Sequence, residues 1–325
     1  MSSFWSDKKV LVTGATGFIG SHLVETLAEK KAVIRAVGRN CASLKKLPTL
    51  AGASLEIVEG DLKSAGFADK VCKDVDVVIN LAAEVAGVGF NSTHPATMFM
   101  NNLAVALPVL DAAVRAKVER FLCVSSACVY ARFASVPTKE EEGFLDDPDP
   151  SNFGYGWAKR VLEIQARCYA QEFPIKIGIA RPYNSYGPRD NFAVETSHVI
   201  PALIRRLVEG EDPMVVWGDG SQSRSFIYVT DFVDGLLAVA EHSTDCDPIN
   251  IGSDEEITIR DLVHLLAEMT QSKSKIVFDT SRPTGQPRRN GDFVKAFEKT
   301  KFKAKTPLKE GLKRTVEWYL KNRSR

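Results

Sequence analysis

Val10-Leu-Val-Thr-Gly14-Ala-Thr-Gly17-Phe-Ile-Gly20 is the stretch whose reading decides the fold. The apolar run ending at Thr13 reads as a strand, and a helical pattern starts at Phe18. Three glycines occupy the turn between them. Gly14 permits a tight turn, Gly17 lets backbone approach a pyrophosphate, and Gly20 lets helix pack closely on strand. The helix start then offers unpaired N–H groups and the positive end of its dipole to phosphate. Thr16, Phe18 and Ile19, which complete the loop, are expected at the same ligand. An ordinary turn using glycine for backbone freedom is the alternative.

Working outward, short apolar runs alternate with amphipathic stretches. Strands are expected at Val10–Thr13, Val33–Val37, Leu55–Val58, Val75–Asn80, Phe121–Ser125 and Ile175–Ala180. Helices are expected at Phe18–Lys30, Ala65–Lys73, Ala96–Ala116 and Trp157–Phe173. That alternation implies βαβ units and a parallel sheet covered on both faces. The fold class is therefore α/β, a Rossmann-type doubly wound parallel sheet with a smaller α/β substrate-binding lobe. Residues 1–181 are expected to form the dinucleotide-binding domain, with 226–252 returning to it. Residues 182–225 and 253–325 are expected to form the lobe, over the carboxyl edge of the sheet. Within the lobe, helices are expected at His198–Glu209, from an N-cap at Asp231 to His242, at Ile259–Met269 behind a Thr258/Asp261 capping box, and at Leu308–Lys321. The segment Thr280–Gly291, rich in Pro, Gly and Arg, reads as a loop.

Composition agrees with a packed chain. Of 325 residues, 44% are hydrophobic and 26% charged, which excludes disordered, collagen-like and coiled-coil classes. Lys plus Arg number 42 against 41 Asp plus Glu, so no nucleic-acid partner is expected. Cysteines at 41, 72, 123, 128, 168 and 246 make no CxxC pair, and no HExxH occurs, so no metal site is expected. The N-terminus shows no apolar signal core. The uncharged stretch Val85–Leu110 is interrupted by Asn91, His94, Pro95, Asn101 and Asn102, so no membrane span is expected. A cytoplasmic protein with reduced thiols is the simplest reading.

The residue ending the second strand should read the adenosine ribose. An acid there favours NAD, and an arginine accommodates the 2′-phosphate of NADP. The sequence is Val37-Gly38-Arg39-Asn40, so Arg39 points to NADP; the alternative is NAD with Arg39 stacked on adenine. Asp61, in Gly60-Asp61-Leu62, either hydrogen-bonds the adenine amino group or caps the next helix. Ser125-Ser126 closes the fifth strand, and Tyr155-Gly-Trp-Ala-Lys159 places phenol and ammonium on one helical face. The ammonium is expected to lower the tyrosine pKa, making Tyr155 an acid/base, with Ser126 on the same substrate oxygen.

These motifs together resemble the extended short-chain dehydrogenase/reductase family of NAD(P)-dependent sugar epimerases and dehydratases. The resemblance spans nearly the whole chain. It includes Gly14–Gly20, Asp61-Leu62, Asn80-Leu81-Ala82-Ala83, Ser125-Ser126, Tyr155/Lys159, Arg181-Pro-Tyr-Asn184, Tyr186-Gly-Pro188, Trp217-Gly-Asp-Gly220 and Arg224–Asp231. It implies a nucleotide-sugar substrate and a homodimer built through a four-helix interface. Cofactor contacts are implied for Asp61, Leu62, Leu81, Ala82, Ala83, Tyr155 and Lys159. Ser125-Ser126-Ala127-Cys128 is similar to two GDP-sugar branches, the GDP-L-fucose synthases and the GDP-mannose 3,5-epimerases. Ser197-His198-Val199-Ile-Pro is closer to the first, and Gly87-Val-Gly-Phe90 to the second.

The first branch implies Cys128 and His198 as an acid/base pair for a 3,5-epimerisation, followed by C4 reduction with NADPH and Tyr155. Asn184, Val199, Arg206, Trp217, Arg224 and Arg288 are then expected at substrate. Cationic neighbours are expected to lower the Cys128 pKa. The second branch implies a redox-neutral epimerase that keeps NAD. Blander readings stand beside each residue. Cys128 can be core filler, His198 a helix cap, Arg206 a solvated helix face, Arg224 a surface ion pair, and Arg288–Arg289 a basic loop rather than a diphosphate clamp. A non-catalytic dinucleotide-binding protein is the remote alternative.

Overall fold

The computed structural model describes residues 3–282 and 286–323; residues 283–285 of the expected Thr280–Gly291 loop lie outside the described residues. The strands are β1 Lys9–Thr13, β2 Val33–Gly38, β3 Leu55–Glu59, β4 Val77–Asn80, β5 Arg120–Val124, β6 Lys176–Pro182, β7 Asn184–Tyr186, β8 Met214–Trp217, β9 Ser223–Tyr228, β10 Asp245–Ile251, β11 Glu256–Thr258, β12 Ile276–Asp279 and β13 Arg288–Arg289. The helices are α1 Phe18–Glu29, α2 Phe67–Cys72, α3 Val88–Thr93, α4 Pro95–Arg115, α5 Phe153–Glu172, α6 Val199–Glu209, α7 Val229–His242, α8 Ile259–Thr270, α9 Val294–Thr300 and α10 Leu308–Asn322.

Seven strands form one sheet in the order β10-β6-β5-β4-β1-β2-β3, and every pair is parallel. The order reverses beside β1, which opens a crevice at the carboxyl ends of β1 and β4 where open sheets take ligands. One face packs against α1 and α7, the other against α2, α4 and α5. β4 is buried at all four residues, as a doubly covered strand must be. α4 is long and apolar enough by composition to cross a bilayer, but it lies against α5, α2 and β4. Its buried stripe includes Met98, Ala106, Val109 and Ala113.

Beyond β6 the chain builds a second cluster around Ile204, Met214, Tyr228, Leu262, Leu266 and Leu312. Phe226–Tyr228, within β9, pair with β7 rather than with the large sheet; α7 and β10 then return to it. Asp231 does not cap α7, which starts at Val229. Its buried carboxylate instead accepts the backbone N–H of Lys305 (3.0 Å) and Thr306 (2.7 Å), anchoring the C-terminal segment. Thr258 does cap α8, accepting from Asp261 N at 3.0 Å.

Candidate active site

The glycine loop has the shape its sequence requires. Gly14 sits at φ +64°, and a Cβ there would lie 3.1 Å from the Leu81–Ala82 backbone. A Cβ on Gly20 would lie 2.1 Å from the Gly14 carbonyl. Gly17 precedes α1, and no side chain caps that helix. The first-turn N–H groups therefore remain for an anion. Thr13 Oγ1 links the loop to its neighbour, donating to Asn80 (2.6 Å) and accepting from Ala82 N (3.1 Å). Leu81, Ala82 and Ala83 thus lie against the glycine turn. Thr16 packs over Gly38 at the end of β2. Arg39 follows at once, exposed, and makes no ion pair among the described residues. Leu62 is buried, while Asp61 Oδ1 accepts from Lys63 N at 2.9 Å, closing its own turn. These residues fit a dinucleotide.

The chemical groups collect at the carboxyl end of β5. Ser126 starts the single turn Ala127–Val129, and its Oγ accepts from Cys128 N at 3.1 Å. α5 begins at Phe153, so Tyr155 lies in its first turn, with its phenol near the Ser126 hydroxyl. Cys128 packs with Tyr155, Ala86, Met98 and Phe90. The Ala86–Gly87 segment also touches the other wall, since a Cβ on Gly87 would lie 3.1 Å from the Ser197 carbonyl. His198 is the next residue after Ser197 in the chain. His198 precedes α6 without a side-chain cap bond. Its surface is open to water although protein surrounds it on most sides, which is the situation of a cleft wall, and desolvation lowers its pKa. Val199 follows as the first residue of α6.

Two expectations are corrected. Lys159 does not depress the Tyr155 pKa. Burial pushes the phenol up, the nearby Cys128 sulfur adds to the rise, and the neighbouring Ser126 hydroxyl opposes it. The ammonium is spent on the Val124 carbonyl at 2.8 Å and stands 5.5 Å from the phenol ring centroid. The second correction concerns which arginine enters the cleft. Arg288 is exposed and paired with Glu256 at 2.7 Å. Its neighbour Arg289 turns inward and donates from Nη2 to Cys128 Sγ at 3.4 Å. The strand β13 explains the difference, since alternate residues point to opposite faces.

Arg289 is in register with Arg224 on β9, and the two guanidinium groups face one cleft. Burial, and then the charge of Arg289, bring the Arg224 pKa down to about 10. Asp149, buried nearby, has one carboxylate oxygen without a hydrogen bond. Asn184 donates to the Ser225 carbonyl at 3.3 Å on the same small sheet. Trp217 is half-exposed at the end of β8. Arg206 points elsewhere, binding Glu211 at 2.7 Å and the Val215 carbonyl at 2.6 Å. No group of three or more candidate metal ligands occurs among the described residues.

The family model for the NAD dependent epimerase/dehydratase family matches residues 10–252. The chain is 35% identical to a probable GDP-L-fucose synthase 1 of Oryza sativa subsp. japonica, covering 99% of this chain and 95% of that protein. It is 30% identical to a GDP-mannose 3,5-epimerase 1 of Oryza sativa subsp. indica, over 97% and 83%. A solved UDP-glucose 4-epimerase of Thermotoga maritima superposes with a TM-score of 0.86 at 29% identity, over 97% and 100%. The glycine loop, the Ser126–Tyr155–Lys159 set and these matches agree: the chain belongs to the NAD dependent epimerase/dehydratase family, as an NAD(P)-dependent enzyme of nucleotide-sugar chemistry.

Proposed function

We propose that the protein is a GDP-4-keto-6-deoxyhexose 3,5-epimerase/4-reductase similar to the GDP-L-fucose synthases, using NADPH. The observation that carries this reading is the packing of Cys128 against Tyr155 with Arg289 on its sulfur, and His198, adjacent in the chain to the Ser197 carbonyl that meets Gly87, is read as its partner. A 4-keto group acidifies the protons at C3 and C5. Inversion then needs one group to remove a proton from one ring face and another to return it on the opposite face. Cys128 and His198 supply that pair. The lowered pKa of His198 leaves its imidazole neutral at pH 7, free to accept a proton.

The residues Gly14, Thr16, Gly17, Phe18, Ile19 and Gly20 would hold the dinucleotide diphosphate, with Leu62, Leu81–Ala83 and Lys159 along its length. Arg39, exposed and without an ion pair among the described residues, supports the 2′-phosphate of NADP. NADPH held by these residues would supply the hydride for C4. Tyr155 gives its proton to the C4 oxygen while Ser126 hydrogen-bonds that oxygen. Burial keeps the phenol protonated at neutral pH, which suits a donor. Arg224 and Arg289, side by side, suit two diphosphate oxygens of the substrate. Asn184, Val199 and Trp217 would be further contacts for the sugar nucleotide.

A redox-neutral epimerase keeping NAD is the second reading, favoured by the similarity to a GDP-mannose 3,5-epimerase. It must begin by removing a proton from a C4 hydroxyl, and a buried phenol disfavours that start. The test is GDP-4-keto-6-deoxymannose in deuterated water. We expect Cys128→Ser to lose deuterium entry at C3 and C5 by about 100-fold or more, while Tyr155→Phe keeps entry and loses NADPH oxidation. Turnover without NADPH oxidation would move the protein to the second reading.

A further inference from the structure

Tyr155, Lys159 and Glu163 form one stripe of α5, four residues apart, and all three are buried. Each reaches the strand-to-turn segment that carries Ser126 and Cys128. Tyr155 lies near Ser126, Lys159 donates to the Val124 carbonyl at 2.8 Å, and Glu163 Oε1 accepts from Ser125 Oγ at 2.5 Å. Arg181 on β6 grips the same carboxylate with two bonds, Nε to Oε1 at 2.8 Å and Nη2 to Oε2 at 2.7 Å. Both side chains of this ion pair are almost wholly buried, at 1% and 0% exposure.

The network continues under the site. Arg181 Nη1 donates to Tyr130 Oη (3.1 Å) and to the Glu140 carbonyl (2.6 Å), and Tyr130 donates to Asn250 at 2.6 Å. Asn250 in turn donates to the carbonyls of Thr138 (3.0 Å) and Asp292 (3.2 Å). The Asp292 end of that chain belongs to the segment carrying Arg289. A short turn with two reactive groups is thus tied at both ends, to α5 and to the Arg289 segment.

We propose that Ser125, Glu163 and Arg181 are positioning residues: through the Ser125–Glu163–Arg181 bonds they fix the turn bearing Ser126 and Cys128 against Tyr155. The inference rests on the proposed epimerase/reductase reading for its catalytic consequence. Removal of a small-molecule-facing group is not involved, because none of the three reaches the cleft. Misplacing reacting groups by about 1 Å costs on the order of 100-fold in rate.

The test uses the full-length protein with Ser125→Ala, which removes one tie and leaves the Glu163–Arg181 pair intact. Glu163→Gln is the companion variant, and its failure to fold leaves the decision with Ser125→Ala. Two readouts are taken: steady-state kinetics on GDP-4-keto-6-deoxymannose with NADPH, and the ratio of iodoacetamide labelling at Cys128 to that at exposed Cys168. The expected result for Ser125→Ala is a kcat at least about tenfold lower with KM within about twofold, a shifted Cys128/Cys168 labelling ratio, and partial recovery in Ser125→Thr. A kcat and labelling ratio both within twofold of wild type would overturn the inference. If wild-type protein does not turn over this substrate, the functional reading fails on its own account, and the labelling ratio alone decides whether Ser125 orders the turn.

Discussion

At the scale of single residues, burial sets the charge states. Asp190 is buried, accepts from Asn191 N at 2.7 Å, and leaves its other oxygen without a hydrogen bond. Desolvation pushes its pKa up to about 7. The folded state therefore holds this proton more tightly than the unfolded chain, so the group weakens stability as pH rises from about 4 to 7. Asp190→Asn should remove that loss, stabilising the protein by roughly 4 kcal/mol at pH 8 and by much less at pH 4, seen in urea unfolding at both values. An equal gain at both would contradict it. His22 works the other way. Burial lowers its pKa to about 4, so protonating the unfolded chain costs stability as pH falls from 6.5 toward 4. For His198, also lowered by desolvation, deuterium entry should decline only below pH 6.5; a midpoint above that value would exclude its role as the neutral partner. Arg289→Ala should raise KM about tenfold or more, whereas Arg288→Ala, which breaks only an exposed pair, should change it less than about twofold.

At the scale of elements, close approach and helix register do the work. The turn from β1 into α1 tolerates no side chain at Gly20, where a Cβ would lie 2.1 Å from backbone oxygen. Gly20→Ala should cost about 2–4 kcal/mol in urea unfolding, because backbone must move. Gly89 in α3 meets nothing within 4 Å, so Gly89→Ala should be neutral or stabilising by up to about 1 kcal/mol. The helix α5 buries Tyr155, Lys159 and Glu163 on one stripe, and starting it at Phe153 puts Tyr155 in the first turn. Phe153 and Trp157 lie outside that stripe, and Arg160 is drawn back to the Val129 carbonyl at 3.0 Å.

At the scale of the molecule, the dinucleotide helix and the second lobe are joined. His22 on α1 meets the Pro188 carbonyl at 2.8 Å, Glu25 pairs with Arg189, and Phe18 and Ile19 pack against the lobe's core. Ligand bound at the glycine loop should therefore stabilise both parts in one transition. NADPH at 100 times its Kd should add about 2.7 kcal/mol, and NADH at the same concentration less, by thermal unfolding. A larger NADH effect would make Arg39 an adenine-stacking residue. The exposed Met100 on α4 and Phe153 and Ile164 on α5 support a homodimer through these helices, which light scattering of the purified protein tests.

The sequence by itself determined the parallel sheet, because strand and helix periodicities and the three glycines are local properties. Ser126, Tyr155 and Lys159 stand out by residue type and spacing, whereas Cys128 and His198 are singled out only by the family resemblance. Asp231 shows where local reasoning stops: an acid near a helix start reads as a cap, yet here it receives two N–H groups from residues more than 70 positions away. Only the tertiary structure chose Arg289 over Arg288, since a two-residue strand decides which side chain faces the cleft. Only it reversed the Tyr155 shift, because desolvation depends on what packs around the ring. The Ser125–Glu163–Arg181 ties join β5, α5 and β6, and no spacing along the chain encodes such a meeting.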